Sequence, residues 1–197
     1  EQLLRECTDY FSTFSDPVLV SYYEETLVVF IHAHQNGKFV EGELLCSSEQ
    51  YESIRQRYEI VCCDCLNDSS DARQAYLVSM AQWRTARRIY PRAGVLRTED
   101  MMFAQLCQEI MANRDNLDQY LRILSCLRNA NAELITTLTV YLLDSGSSMA
   151  ETARLLYVHL NTVKYRLRQV QELTGFSPTQ LPGAYSLYIA AAINRIS

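Results

Sequence analysis

Residues 152–175 read TARLLYVHLNTVKYRLRQVQELTG, two apolar, helix-forming runs on either side of the short break Tyr157-Val158-His159. Just upstream, Ser148-Met149-Ala150-Glu151 has the Ser-x-x-Glu spacing of a capping box, so the spacing predicts a helix over 149–156. The small residues Ala150 and Ala153 let a second helix cross closely, with Leu155 or Leu156 filling the space beside them. After the break, Asn161 or a neighbour is placed to cap a helix over 161–173. Along that helix Val163, Leu167 and Val170 fall at i, i+4 and i+7 and define one buried stripe. The other faces carry Thr162, Lys164, Tyr165, Arg166, Arg168 and Gln169, most of them hydrogen-bond donors. Two short helices with a tight break, the second rich in donors, predict a helix-turn-helix.

Charge supports that reading once it is taken locally. The chain has a formal net charge of −5, which by itself speaks against a nucleic-acid partner. Residues 1–132 carry 13 Lys and Arg against 19 Asp and Glu, a balance of −6, whereas residues 133–197 carry five against four, a balance of +1. Residues 160–170 hold Lys164, Arg166 and Arg168 and no acid. Cationic side chains neutralise phosphates and release counterions, giving affinity for any duplex, while polar side chains at a helix N-terminal turn reach base edges in the major groove. His159, Leu160, Asn161 and Thr162 stand at that turn. A lone amphipathic helix with a solvated basic face is commonplace; the preceding helix and the tight break are what turn the reading towards DNA.

Helices are expected at 99–112, 116–128, 132–143, 149–156, 161–173 and 183–195, separated by Asn, Ser and Gly breaks. Ahead of them the pattern changes. Residues 1–14 read as a helix ended by Asp16-Pro17, and the runs VLVSYYE and TLVVFIHAH read as strands, followed by a tight turn at Asn36-Gly37. A short helix over 47–57 and a third strand, YEIVCCDCL, come next. Asp68 to Asp71 then offer caps for a long helix over 72–90 with Ala72, Tyr76, Met80, Trp83, Ala86 and Tyr90 on its apolar face, and GVL at 94–96 supplies one more strand. Strands and helices alternating over about 95 residues predict an α+β domain with a largely antiparallel sheet.

Residues 133–195, and above all ETARLLYVHLNTVKYRLRQVQELTG, closely resemble the C-terminal helix-turn-helix of the bacterial PucR and CdaR (sugar-diacid regulator) type transcription factors, in their Thr-Ala, Leu-Tyr-x-His, Asn-Thr-Val and Tyr-Arg-Leu elements. By layout, the preceding region looks like the degenerate GGDEF-like domain that stands ahead of this module in the same family. The resemblance implies a degenerate GGDEF-like α+β domain over 1–110, a helical connector over 111–130 and an all-α helix-turn-helix domain over 131–197. It implies a homodimeric, sequence-specific regulator of transcription that binds double-stranded promoter DNA with the 161–173 helix in the major groove. His159, Asn161, Thr162, Lys164, Tyr165, Arg166 and Arg168 fall on the family's recognition segment. Leu160 departs from the pattern, standing where many members place a basic or polar residue; an apolar contact with a thymine methyl would take that contact's place.

The remaining classes have less behind them. No run approaches the roughly 18–20 apolar residues of a membrane span, the N-terminus lacks a signal-peptide layout, and a cytoplasmic location is expected. The chain opens without Met in what reads as mid-helix, so it is expected to be the C-terminal part of a longer protein whose missing N-terminal domain binds a small-molecule effector. Seven cysteines without framework spacing argue for reduced thiols. Cys62, Cys63 and Cys65 lack the second ligand pair of a structural zinc site, and His32 and His34 lack a third ligand nearby in sequence, so no metal or other cofactor is expected. A nucleotide cyclase of the GGDEF type needs a Gly-Gly-Asp/Glu-Glu-Phe hairpin whose carboxylates hold metals; Gly37 and Gly42 stand alone instead, and no catalytic residues are assigned. Glu24, Glu25, Asp68 and Asp71 read as solvated turn and strand-end charges. The alternative to a DNA-binding regulator is a module that binds nucleotide without catalysis, or that serves dimerisation or signal relay.

Overall fold

The structure, a computed structural model, describes residues 2–11, 18–23, 26–31, 56–63 and 68–197. The chain divides into two compact units, one comprising Glu1–Ile60 with Asp64–Asn67, the other Val61–Cys63 with Asp68–Ser197.

In the first unit, helix α1 (Gln2–Phe11) precedes strands β1 (Val18–Tyr23) and β2 (Thr26–Ile31), which pair antiparallel from Val18↔Ile31 to Tyr23↔Thr26. The β-branched and aromatic content of both runs suits a pleated surface. Arg57 bridges to Glu6 of α1 at 2.6 Å. Of the short helix expected over 47–57, only residues 56 and 57 are described, and both are helical. The Asn36-Gly37 turn, His32, His34, Glu24, Glu25 and Cys65 lie outside the described residues.

The second unit is mostly helical: β3 (Val61–Cys62), α2 (Ser69–Ile89), β4 (Leu96–Arg97), α3 (Thr98–Ala112), α4 (Arg114–Ala130), α5 (Ala132–Thr139), a π-helical turn (Val140–Asp144), α6 (Met149–Leu156), α7 (Leu160–Thr174) and α8 (Gly183–Ile196). Short polar residues start these helices where the sequence places them. Asp68 accepts hydrogen bonds from the Ser70 and Asp71 amides, Asn113 from Asn116, and Asn131 from Glu133.

Among the described residues the strands form two separate pairs rather than one largely antiparallel sheet. Of the nine-residue strand expected at YEIVCCDCL, residues 58–63 are described, and among these Val61 and Cys62 are strand, pairing parallel with Leu96 and Arg97. A parallel pair needs a long crossover, and α2 supplies it. Cys62 and Cys63 are half-buried thiols, and Cys63 Sγ lies 3.5 Å from Ser79 Oγ.

Helices α2 and α3, expected from sequence to belong with the α+β region, share one apolar core with the C-terminal helices. Ala86, Ile89, Leu96, Met101, Ala104 and Cys107 join Leu124, Leu127, Leu138, Val163, Leu167, Val170 and the α8 run from Leu187 to Ile193. Polar clasps hold α8 in place. Arg195 forks onto both carboxylate oxygens of Asp144, at 2.8 and 2.7 Å, and also donates to the Ile89 carbonyl at 2.7 Å. Arg88 donates to the Ile196 carbonyl, and the Tyr90 and Tyr188 hydroxyls meet at 2.7 Å. Gly183 opens α8 so close to the preceding loop that a Cβ would come within 2.7 Å of the Ser177 nitrogen.

Candidate nucleic-acid interface

The π-helical turn continues α5 without a break and buries Val140, Tyr141, Leu142 and Leu143 together. It also delivers Asp144 to Arg195. Gly146 and Ser147 then adopt positive φ, 56° and 61°, and turn the chain back. Ser148 caps α6 by accepting from the Glu151 amide at 3.2 Å. The Glu151 carboxylate grips Arg154 instead, through two hydrogen bonds of 2.9 and 2.5 Å, which holds that carboxyl below its ordinary pKa. Deeper in, the Ser145 and Thr152 hydroxyls pair at 2.7 Å, and both residues are buried.

The break between α6 and α7 is a tight left-handed turn. Tyr157 takes φ 54° and ψ 41°, its amide reaches the Arg154 carbonyl, and the Val158 amide reaches back to the Ala153 carbonyl at 3.0 Å. That pair of bonds closes the end of α6 in the manner usually left to glycine. His159 then caps α7: its Nδ1 accepts from the Asn161 amide at 3.2 Å. The cap is the neighbour of Asn161 rather than Asn161 itself, so the Asn161 side chain is left exposed.

Helix α7 starts one residue before the expected 161–173 and ends one after. Val163, Leu167 and Val170 are buried as the spacing predicts. Asn161, Lys164, Tyr165 and Arg168 are exposed, His159 is exposed at the cap, and Leu160, Thr162 and Gln169 are half-buried. Arg168 lies over the Tyr165 ring at 5.8 Å from its centroid and approaches Glu172 at 3.4 Å. Both partners of that ion pair are solvated, so it holds Arg168 only weakly.

Arg166 behaves differently from the other two cations. Its guanidinium turns inward, pairing with the Glu133 carboxylate and donating to the Thr137 hydroxyl at 3.3 Å, with its side chain only 16% exposed. The arrangement therefore brings His159, Asn161, Lys164, Tyr165 and Arg168 to one solvent-facing surface and sets Arg166 between α7 and α5. Two further exposed residues precede α7 in the chain. Tyr157 is 96% exposed, and Arg154 is exposed one turn back on α6. Nothing in residue type signals the left-handed Tyr157; only the break itself is legible. Among the described residues no three His, Cys, Asp or Glu side chains are placed to hold a metal ion, and no helix is long and apolar enough to cross a membrane.

Residues 134–193 match the model of the PucR C-terminal helix-turn-helix domain. An uncharacterized protein of Mycobacterium tuberculosis is 44% identical over 71 residues, which is 36% of this chain and 17% of that protein. The purine catabolism regulatory protein of Bacillus subtilis is 41% identical over 63 residues, 32% of this chain and 12% of the relative. The chain thus matches less than a fifth of the length of these curated relatives. A solved structure, the regulator of polyketide synthase expression from Bifidobacterium adolescentis, aligns over 98% of this chain and 74% of its own at 21% identity and a TM-score of 0.40.

Proposed function

With residues 134–193 a PucR-type helix-turn-helix domain, we propose that the chain is the DNA-reading part of a sequence-specific transcriptional regulator. Helix α7 enters the major groove. Lys164 and Arg168 neutralise phosphates and supply affinity for any duplex. His159, Leu160, Asn161 and Thr162, at the N-terminal turn of α7, meet base edges, Leu160 through a thymine methyl. Tyr165 carries Arg168 on its ring. Arg166 is assigned to the fold and not to phosphate, because its guanidinium already has two partners on α5.

The observation that carries this reading is the division of α7 into a buried stripe and an exposed, acid-free N-terminal half, presented after a tight left-handed turn. A solvated helix without a partner needs neither the turn nor the close packing of α6 against α7.

A single helix-turn-helix reads only a few base pairs, so two copies acting on twofold-related half-sites complete the proposal. The α+β region ahead of the domain is taken as a degenerate GGDEF-like neighbour without catalysis, and the effector as a small molecule bound by a domain N-terminal to residue 1. The test is selection of bound duplexes from a random pool by the purified chain at roughly physiological salt. Enrichment of one motif with twofold symmetry supports the reading; retention of the unselected pool composition, with no measurable affinity for any duplex, overturns it.

A further inference from the structure

Tyr157 combines two properties that the folded chain does not need together. Its backbone occupies the left-handed region, φ 54° and ψ 41°, which side-chain-bearing residues seldom visit and where glycine is the ordinary occupant. Its side chain is 96% exposed, so no packing within the fold offsets the strain. A strained residue whose side chain touches nothing inside points to a use outside. The location narrows that use. Tyr157 stands at the end of α6, two residues before the His159 cap of α7. An exposed phenol at the entrance of a helix offered to the major groove suits an anionic oxygen at the groove edge.

We propose that Tyr157 is a DNA-contact residue whose hydroxyl donates a hydrogen bond to a backbone phosphate flanking the groove that α7 enters, an inference that rests on the DNA-reading function proposed above. Phosphates carry no base identity, so the contact positions the domain without choosing the sequence. A neutral donor releases no counterion, so it adds affinity without adding salt dependence.

Three forms of the full chain test this: wild type, Tyr157→Gly and Tyr157→Phe, each titrated on the selected duplex and on a random-sequence duplex of equal length. Tyr157→Gly relieves the left-handed strain and is expected to melt above wild type, yet to bind both duplexes about tenfold more weakly with an unchanged salt slope. Tyr157→Phe keeps the backbone and the ring, melts with wild type, and is expected to show a similar loss. Wild-type affinity in Tyr157→Phe overturns the hydroxyl–phosphate contact, as does a loss confined to the selected duplex. Should Tyr157→Gly fold poorly, the strain argument fails and Tyr157→Phe still decides the contact. Failure of the wild-type chain itself to bind either duplex is the separate result that removes the underlying reading, and the inference with it.

Discussion

Arg166 of α7 holds Glu133 of α5, and its second amino group reaches the Thr137 hydroxyl one turn further along the same helix. Helix α7 is thereby tied to α5 by one of its own cations. The guanidinium is largely enclosed while the carboxylate is 62% exposed, so the pair falls between the weak surface case and the costly buried one. Arg166→Ala is expected to lower stability by roughly 1–2 kcal/mol, read as a shift in the denaturant midpoint at constant slope. Its salt slope on DNA is expected to stay at the wild-type value. A stable variant whose slope falls by about one would return Arg166 to the phosphates.

Asp144 and Arg195 form the more deeply set pair, with Asp144 3% exposed and Arg195 18% exposed. Because Arg195 also caps the Ile89 carbonyl, one side chain joins the end of α2, the π-helical turn and α8. Removing either partner leaves a charge without its counterpart, so Asp144→Asn or Arg195→Met is expected to cost about 3–5 kcal/mol. Thermal unfolding of the two single variants and the double variant measures it. The double variant is expected to lose less than the sum of the singles, and strict additivity would show that the two side chains do not act as a pair.

Much of this architecture is legible in the sequence because its signals are local. Asp68, Ser148 and the breaks near Asn113 and Asn131 mark helix starts, and the Val163, Leu167, Val170 spacing marks the buried face of α7; each depends on residues within a turn or two. What the sequence leaves open depends on partners far along the chain. The inward turn of Arg166 is set by Glu133, 33 positions away, and the π-helical turn ends at Asp144, whose partner is 51 positions away. The parallel pairing of Val61 with Leu96 involves two residues a side, too few to leave a period-2 pattern. Helices α2 and α3 follow a strand-bearing region in sequence, yet their apolar faces are completed by α8, a relationship that hydrophobic spacing alone does not contain.

Burial also sets how the second unit responds to alkali. The Cys107 thiol is pushed up to about 12 by burial, and burial raises the Tyr90 and Tyr188 phenols as well. Each of these groups keeps its proton in the folded chain after the unfolded chain has lost it. The unfolded state therefore binds fewer protons above about pH 9, and stability falls as pH rises. Stability is expected to be insensitive to these groups below pH 8 and to decline from about pH 9 towards 12, measured as the denaturant midpoint against pH. Cys107→Ala is expected to make that decline shallower; an unchanged profile would show that the Cys107 thiol does not contribute. In the native chain at neutral pH, Cys107 is also expected to react with thiol reagents far more slowly than Cys62 or Cys63.

In the proposed function the exposed cations of α7, Lys164 and Arg168, meet DNA phosphates. The most direct measurement is the dependence of log K on log salt for a single selected duplex, comparing wild type with Lys164→Ala, Arg168→Ala and the double variant. Each lost phosphate contact reduces the slope by about 0.9. Shallower slopes are expected in both single variants and a fall of about 1.8 in the double variant, with the melting temperature unchanged because both side chains are exposed. Slopes and affinities that stay at wild-type values in the double variant would contradict the phosphate contacts.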